Sequence, residues 1–175
     1  MHLLLSLWVF RAKSPLGVRD GAHGHVQAGI YGERDKGAYS IIVSGGYGYH
    51  DEDHGNVILY CGTEGNEYQP TEATQRLIES CDSIKNPVRV IRSWTLPRNN
   101  RWRPARGFRY DGLYRVVAYE FLNEAKAHMR FKLVRCPGQQ EIRFEGKKAR
   151  PTQFEIDAYD QIRVSQAKKS RLTKD

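Results

Sequence analysis

Acidic residues are in short supply: 20 Asp and Glu stand against 28 Lys and Arg in 175 residues, leaving a formal charge of +8. A surface of that sign favours a polyanion, with nucleic acid the leading partner class; a merely soluble basic protein is the plainer alternative. Cysteine is scarce too. The three, Cys61, Cys81 and Cys136, form no CxxC pair, which excludes a disulfide framework and fits a reducing, intracellular compartment. Long apolar runs are missing: residues 3–10, LLLSLWVF, are too short to span a bilayer. Arg11 and Lys13 follow where a signal peptide needs small residues, so a buried first strand is expected there. There is no GxSxG, no Walker-type loop, no assignable His to orient Cys61 or Cys81, and no internal repeat or low-complexity segment.

What is present reads as short strands separated by turn residues. AYSIIVS (38–44), NVILYC (56–61), PVRVIR (87–92), LYRVVAYEF (113–121) and MRFKLV (129–134) are rich in β-branched and aromatic residues. Residues 3–10 and 141–144 are candidates for two more. Helices are expected over 71–81 and over 152–164, where Thr152 and Glu155 form a capping box. The class is mostly β (α+β), a barrel or strongly curved sheet with peripheral helices. One domain is expected over residues 1–165, with a basic, frayed tail at 166–175.

Two stretches carry chemistry. GGYGYHDEDHGN (45–56) is the most acidic piece of the chain. A metal site, an acid/base cluster, a solvated hairpin or a pocket for a flat polar ring would each use such residues. His50 and His54 have zincin spacing, but a strand-turn-strand context and no Glu after His50 argue against metal, and Asp51, Glu52 and Asp53 lack the spacing of a calcium loop. PRNNRWRPARGFRY (97–110) interleaves arginines with aromatics, a pattern suited to phosphate contact and stacking; an ordinary surface loop is the alternative.

RYDGLYRV (109–116) resembles the YDG signature of the SRA (SET- and RING-associated) domain, a module that recognises methylated cytosine in DNA by flipping the base out. The similarity runs on through DGAHGH (20–25), AGIYG (28–32), GAYSIIVSGGY (37–47), ILYCG (58–62), NPVRVIRS (86–93) and FKLVR (131–135). It implies a PUA-like, curved β barrel that grips duplex DNA and holds 5-methylcytosine between two tyrosines, with an aspartate reading the polar edge. The matching positions are Tyr47 and Tyr60 for the stack, Asp51 for the edge, and Ser44, Gly46 and Cys61 for the walls. Asp51 follows by counting back from Asn56. One extra residue in the stretch leaves Asp53 and Tyr49 as alternatives. Gln27 matches the tip of a loop that enters the duplex, and Arg98, Arg101 and Arg103 are expected on phosphates. Between Gly62 and the helix there is only TEGNEYQP, without the longer finger of relatives that discriminate hemimethylated sites.

Extracting a base from a duplex costs a few kcal/mol, which stacking at about 1–3 kcal/mol per base and edge hydrogen bonds must offset. Two aromatics and an ionised carboxylate facing the cytosine amino group meet that need. Asp111 of the YDG phrase is expected to hold a turn rather than line the pocket. The resemblance implies a non-enzymatic reader with no cofactor, no metal and no catalytic residue, acting in the nucleus on double-stranded methylated DNA. Histone-modifying or other chromatin proteins are expected partners, and no membrane. A PUA-like RNA-binding module and an enzyme acting on a modified base are the alternatives.

Overall fold

The computed structural model describes residues 8–9, 28–45, 50–158, 160, 161 and 164. Among these residues eight strands form one sheet: β1 (Trp8–Val9), β2 (Ile30–Glu33), β3 (Gly37–Val43), β4 (Glu52–Asp53), β5 (Val57–Cys61), β6 (Val88–Ser93), β7 (Phe108–Asn123) and β8 (His128–Arg135). The order across the sheet is β2-β3-β6-β7-β8-β5-β4, with β1 paired to the start of β7. The fold is thus mostly β, an open curved sheet with β2 and β4 at its edges. Neighbours are antiparallel except β3 and β6, which run parallel and therefore need a crossover.

That crossover carries β4, β5 and helix α1 (Glu72–Glu79), which packs on β3 and β2. Thr71 caps α1, its hydroxyl oxygen accepting from the Thr74 amide at 3.2 Å. The helix expected over 71–81 instead widens into a π turn, Ser80–Ile84, closed by Lys85 with left-handed φ of 54°. Ser80 explains the change. Its hydroxyl donates to the Arg76 carbonyl and accepts from the Ala38 amide at 2.8 Å, tying the helix end to β3.

One core cluster is built from Ile41, Val43, Ile58, Tyr60, Leu77, Val90, Tyr114, Phe131 and Leu133 among others. β7 is long enough to be shared: its first half pairs with β6 and its second with β8. It absorbs the YDG phrase into a strand. Residues 141–144, a strand candidate, form none; Ile142 is buried instead and Phe144 packs on Trp102, ring centroids 4.2 Å apart. β2 and β4 went unanticipated: β2 is four residues ending in Glu33, and β4 is only Glu52–Asp53, both acidic. The capping box is present, with the Thr152 amide donating to the Glu155 carboxylate at 2.7 Å.

Candidate nucleic-acid interface

The β4–β5 hairpin sets the geometry. Its turn is held by the His54 amide on the Val57 carbonyl, 2.9 Å, and by Gly55 at φ 76°, whose backbone lies against Trp102. A side chain on Gly55 would meet both a left-handed backbone and the indole ring. Asp51, just ahead of β4, folds back over the end of β5, where its Oδ1 accepts from the Cys61 amide at 2.7 Å. Burial raises the Asp51 pKa above its ordinary value, reinforced by the Asp53 charge and opposed by the Cys61 donors and His128. Burial likewise pushes the Cys61 thiol up to about 11, with the Asp51 charge adding to it, so the sulfur keeps its proton at neutral pH.

Asp53, two residues on, has a different fate. Arg92 of β6 grips it with both sides of the fork, Nη2 to Oδ1 at 2.6 Å and Nε to Oδ2 at 2.8 Å. The same guanidinium donates to Asp111 at 2.9 Å, to the Gly55 carbonyl at 2.9 Å and to the Tyr114 hydroxyl at 3.3 Å. Asp111 also accepts from Arg109, at 2.5 and 2.9 Å, and Arg109 extends to the carbonyls of Trp102 and Arg143, both at 2.7 Å. The side chains of Arg92 and Arg109 are 0% exposed, and two carboxylates balance the two cations. Burial alone would lower the Arg92 pKa, but Asp53 and Asp111 outweigh it and hold the group charged. Asp53 also accepts from the Gly55 amide at 3.0 Å and the Asn100 side-chain amide at 3.4 Å, so most of its acceptor sites are engaged, whereas Asp51 accepts from the Cys61 amide and has further acceptor sites to offer.

A hollow of about 570 Å³ opens beside Asp51 and Asp53, walled by His54, Pro97, Asn99, Asn100, Arg101 and Trp102. Ser44 and Gly45 are tied to the turn after β6: Thr95 Oγ1 donates to the Ser44 carbonyl at 3.0 Å, and Gly45, φ 64°, lies against Pro97. Tyr60 is 5% exposed within the core, and its hydroxyl donates to the Gly29 carbonyl at 3.2 Å. Asp51, Cys61 and Tyr60 are thus brought together on one hairpin, and of the expected pocket residues Asp51 lines the hollow. Gln27, Gly46, Tyr47 and Tyr49 lie outside the described residues.

The three expected phosphate contacts differ. Arg98 is exposed; Arg103 donates to the Trp94 carbonyl at 2.6 Å. Arg101 stacks over Phe144 at 4.6 Å and Trp102 at 5.2 Å and pairs with Glu145 at 3.2 Å. Sequence reasoning missed Arg92 as organiser of the hairpin. Its signal was an arginine in a strand of buried residues with spare acids elsewhere in the chain. Among the described residues, no three His, Cys, Asp or Glu side chains converge to hold a metal ion.

The SAD/SRA domain model matches residues 7–139, and the chain belongs to that family. Among its relatives, ORTHRUS 5, an E3 ubiquitin-protein ligase of Arabidopsis thaliana, is 38% identical over 109 residues, 55% of this chain and 17% of that protein. The E3 ubiquitin-protein ligase UHRF1 of Rattus norvegicus is 31% identical over 140 residues, 65% of this chain and 18% of that protein. The chain thus matches less than a fifth of the length of these curated relatives. In structure it is similar to the SUVH5 SRA domain in complex with methylated CHH DNA, with TM-score 0.62, 31% identity, and coverage of 81% of this chain and 96% of that one. The modification-dependent restriction endonuclease TagI gives TM-score 0.58 at 31% identity, covering 78% of this chain and 52% of that one.

Proposed function

We propose that this chain is a non-enzymatic reader of methylated cytosine in duplex DNA that holds the flipped base beside Asp51. The observation that carries the reading is the division of labour between two neighbouring acids. Asp53 is engaged by Arg92, the Gly55 amide and Asn100, while Asp51 is oriented by the Cys61 amide at the edge of a hollow. An oriented, part-buried carboxylate is a fitting acceptor for the cytosine amino group. Cys61 and Ser44 wall the site, Tyr60 backs it, and Tyr47 or Tyr49 supplies the second ring. Gln27 fills the vacated space in the duplex. Arg98, Arg101 and Arg103 meet phosphates. The matched SUVH5 structure, a complex with methylated DNA at 31% identity, supports the same partner. The reader works in the nucleus, on chromatin, as one domain over residues 1–165, alongside histone-modifying or other chromatin proteins.

The test compares unmodified, hemimethylated and fully methylated duplexes, for the parent and for Asp51→Asn. The parent is expected to prefer methylated duplex, and Asp51→Asn to bind all three with the same weak affinity. A variant that keeps the preference would show that Asp51 does not read the base. Equal binding of all three by the parent would remove the reader function itself.

A further inference from the structure

Beyond the residues that the family model matches, the chain returns to the interface. Phe144 stacks on Trp102, the Ala105 amide donates to the Ala149 carbonyl at 3.2 Å, and Glu145 pairs with Arg101. Residues 144–149 are thereby bound to the wall of the Asp51 hollow. On their far side lies a second hollow of about 490 Å³, lined by Phe144, Lys147, Lys148, Arg150 and Thr152 among others. The 3₁₀ turn Gly146–Ala149 places two of these cations next to each other on the rim. Nearby acids are mostly engaged: Glu145 by Arg101 and Glu155 by Arg143 at 2.7 Å, which leaves Glu141 on the wall. Lys147, Lys148 and Arg150 have no ion-pair partner among the described residues.

We propose that Lys147, Lys148 and Arg150 form a second contact surface for the phosphate backbone of duplex DNA, continuous with the base site through the Arg101–Trp102–Phe144 stack. The inference rests on the reader function for the identity of the partner. Its physical ground is separate. Three unpaired cations on a rim held to the base site by stacked rings follow a polyanion that extends past the flipped base. Backbone contacts of this kind position the duplex and add affinity without reading sequence or methylation.

The experiment measures the salt dependence of binding by the full chain and by the Lys147→Gln/Lys148→Gln/Arg150→Gln variant, on methylated and unmodified duplexes of one sequence. Three phosphate contacts correspond to a difference of about 2 to 3 in the slope of log K against log salt. The variant is expected to lose that slope equally on both duplexes, to keep the parent's ratio between them, and to melt at the parent's temperature. Lys147→Arg/Lys148→Arg is expected to retain the parent slope. An unchanged slope in the triple variant would overturn the proposal, and so would a loss confined to methylated duplex. Tighter binding of duplex RNA than duplex DNA, with the same slope lost on RNA, would overturn the choice of partner. A parent without methyl preference would remove the base-reading function and leave the slope difference to report on this surface alone.

Discussion

At the scale of single residues, the proposed role of Asp51 ties binding to stability, because the same carboxylate is part-buried against Cys61. Burial raises the Asp51 pKa, so the folded chain holds that proton more tightly than the unfolded one. The resulting stability is fully present below the ordinary Asp value and declines as pH rises through the folded pKa. Asp51→Asn, which mimics the neutral form, is accordingly expected to melt above the parent at neutral pH in thermal denaturation, with the gap closing in acid. Binding follows the opposite course: methyl preference is expected to fade as the pH drops through the same range, because the amino group requires an ionised acceptor. Tyr60→Ala is a poorer probe of the pocket. Removing a buried aromatic costs about 3–5 kcal/mol, so lost binding would be inseparable from lost fold. Counting back from Asn56 points to Asp51 and leaves Asp53 as the alternative. That Arg92, 39 positions away, folds onto Asp53 is a contact that no local pattern encodes.

Among elements, the hairpin β4–β5 is fixed to β6 and β7 through charge more than through apolar packing. Arg92→Met would leave Asp53 and Asp111 without their shared cation in a site where both side chains are nearly inaccessible. Breaking such a buried pair costs about 3–5 kcal/mol, to be measured by denaturant unfolding. Gly55→Ala should also destabilise, and should change the Trp102 emission because the added methyl displaces the ring. The strands rich in Val, Ile, Phe and Tyr were legible from composition, since each fills a buried face. Residues 141–144 look equally strand-like, yet Ile142 and Phe144 act as plugs, and only the indole waiting on the other side reveals it. The π turn after α1 was likewise hidden, because Ser80 is anchored to β3, far away in sequence.

For the molecule as a whole, the match to residues 7–139 understates the folded unit. Arg109 is buried, and one of its acceptors is the Arg143 carbonyl. A chain ending at residue 139 leaves that donor without its acceptor and uncovers Trp102, at a cost of about 1–3 kcal/mol from the hydrogen bond alone. A lower melting temperature and red-shifted tryptophan emission are the expected signs. The pairing of β5 with β8 has a consequence in time. The strand that carries Tyr60 and Cys61 finds its principal neighbour only in residues 128–135, while β2, β3, α1 and β6 can associate earlier. On the ribosome, the β5 strand and the hollow beside Asp51 must wait for residues 128–135 to emerge. A nascent chain then has the helix and half of the sheet in place well before the proposed base site can close.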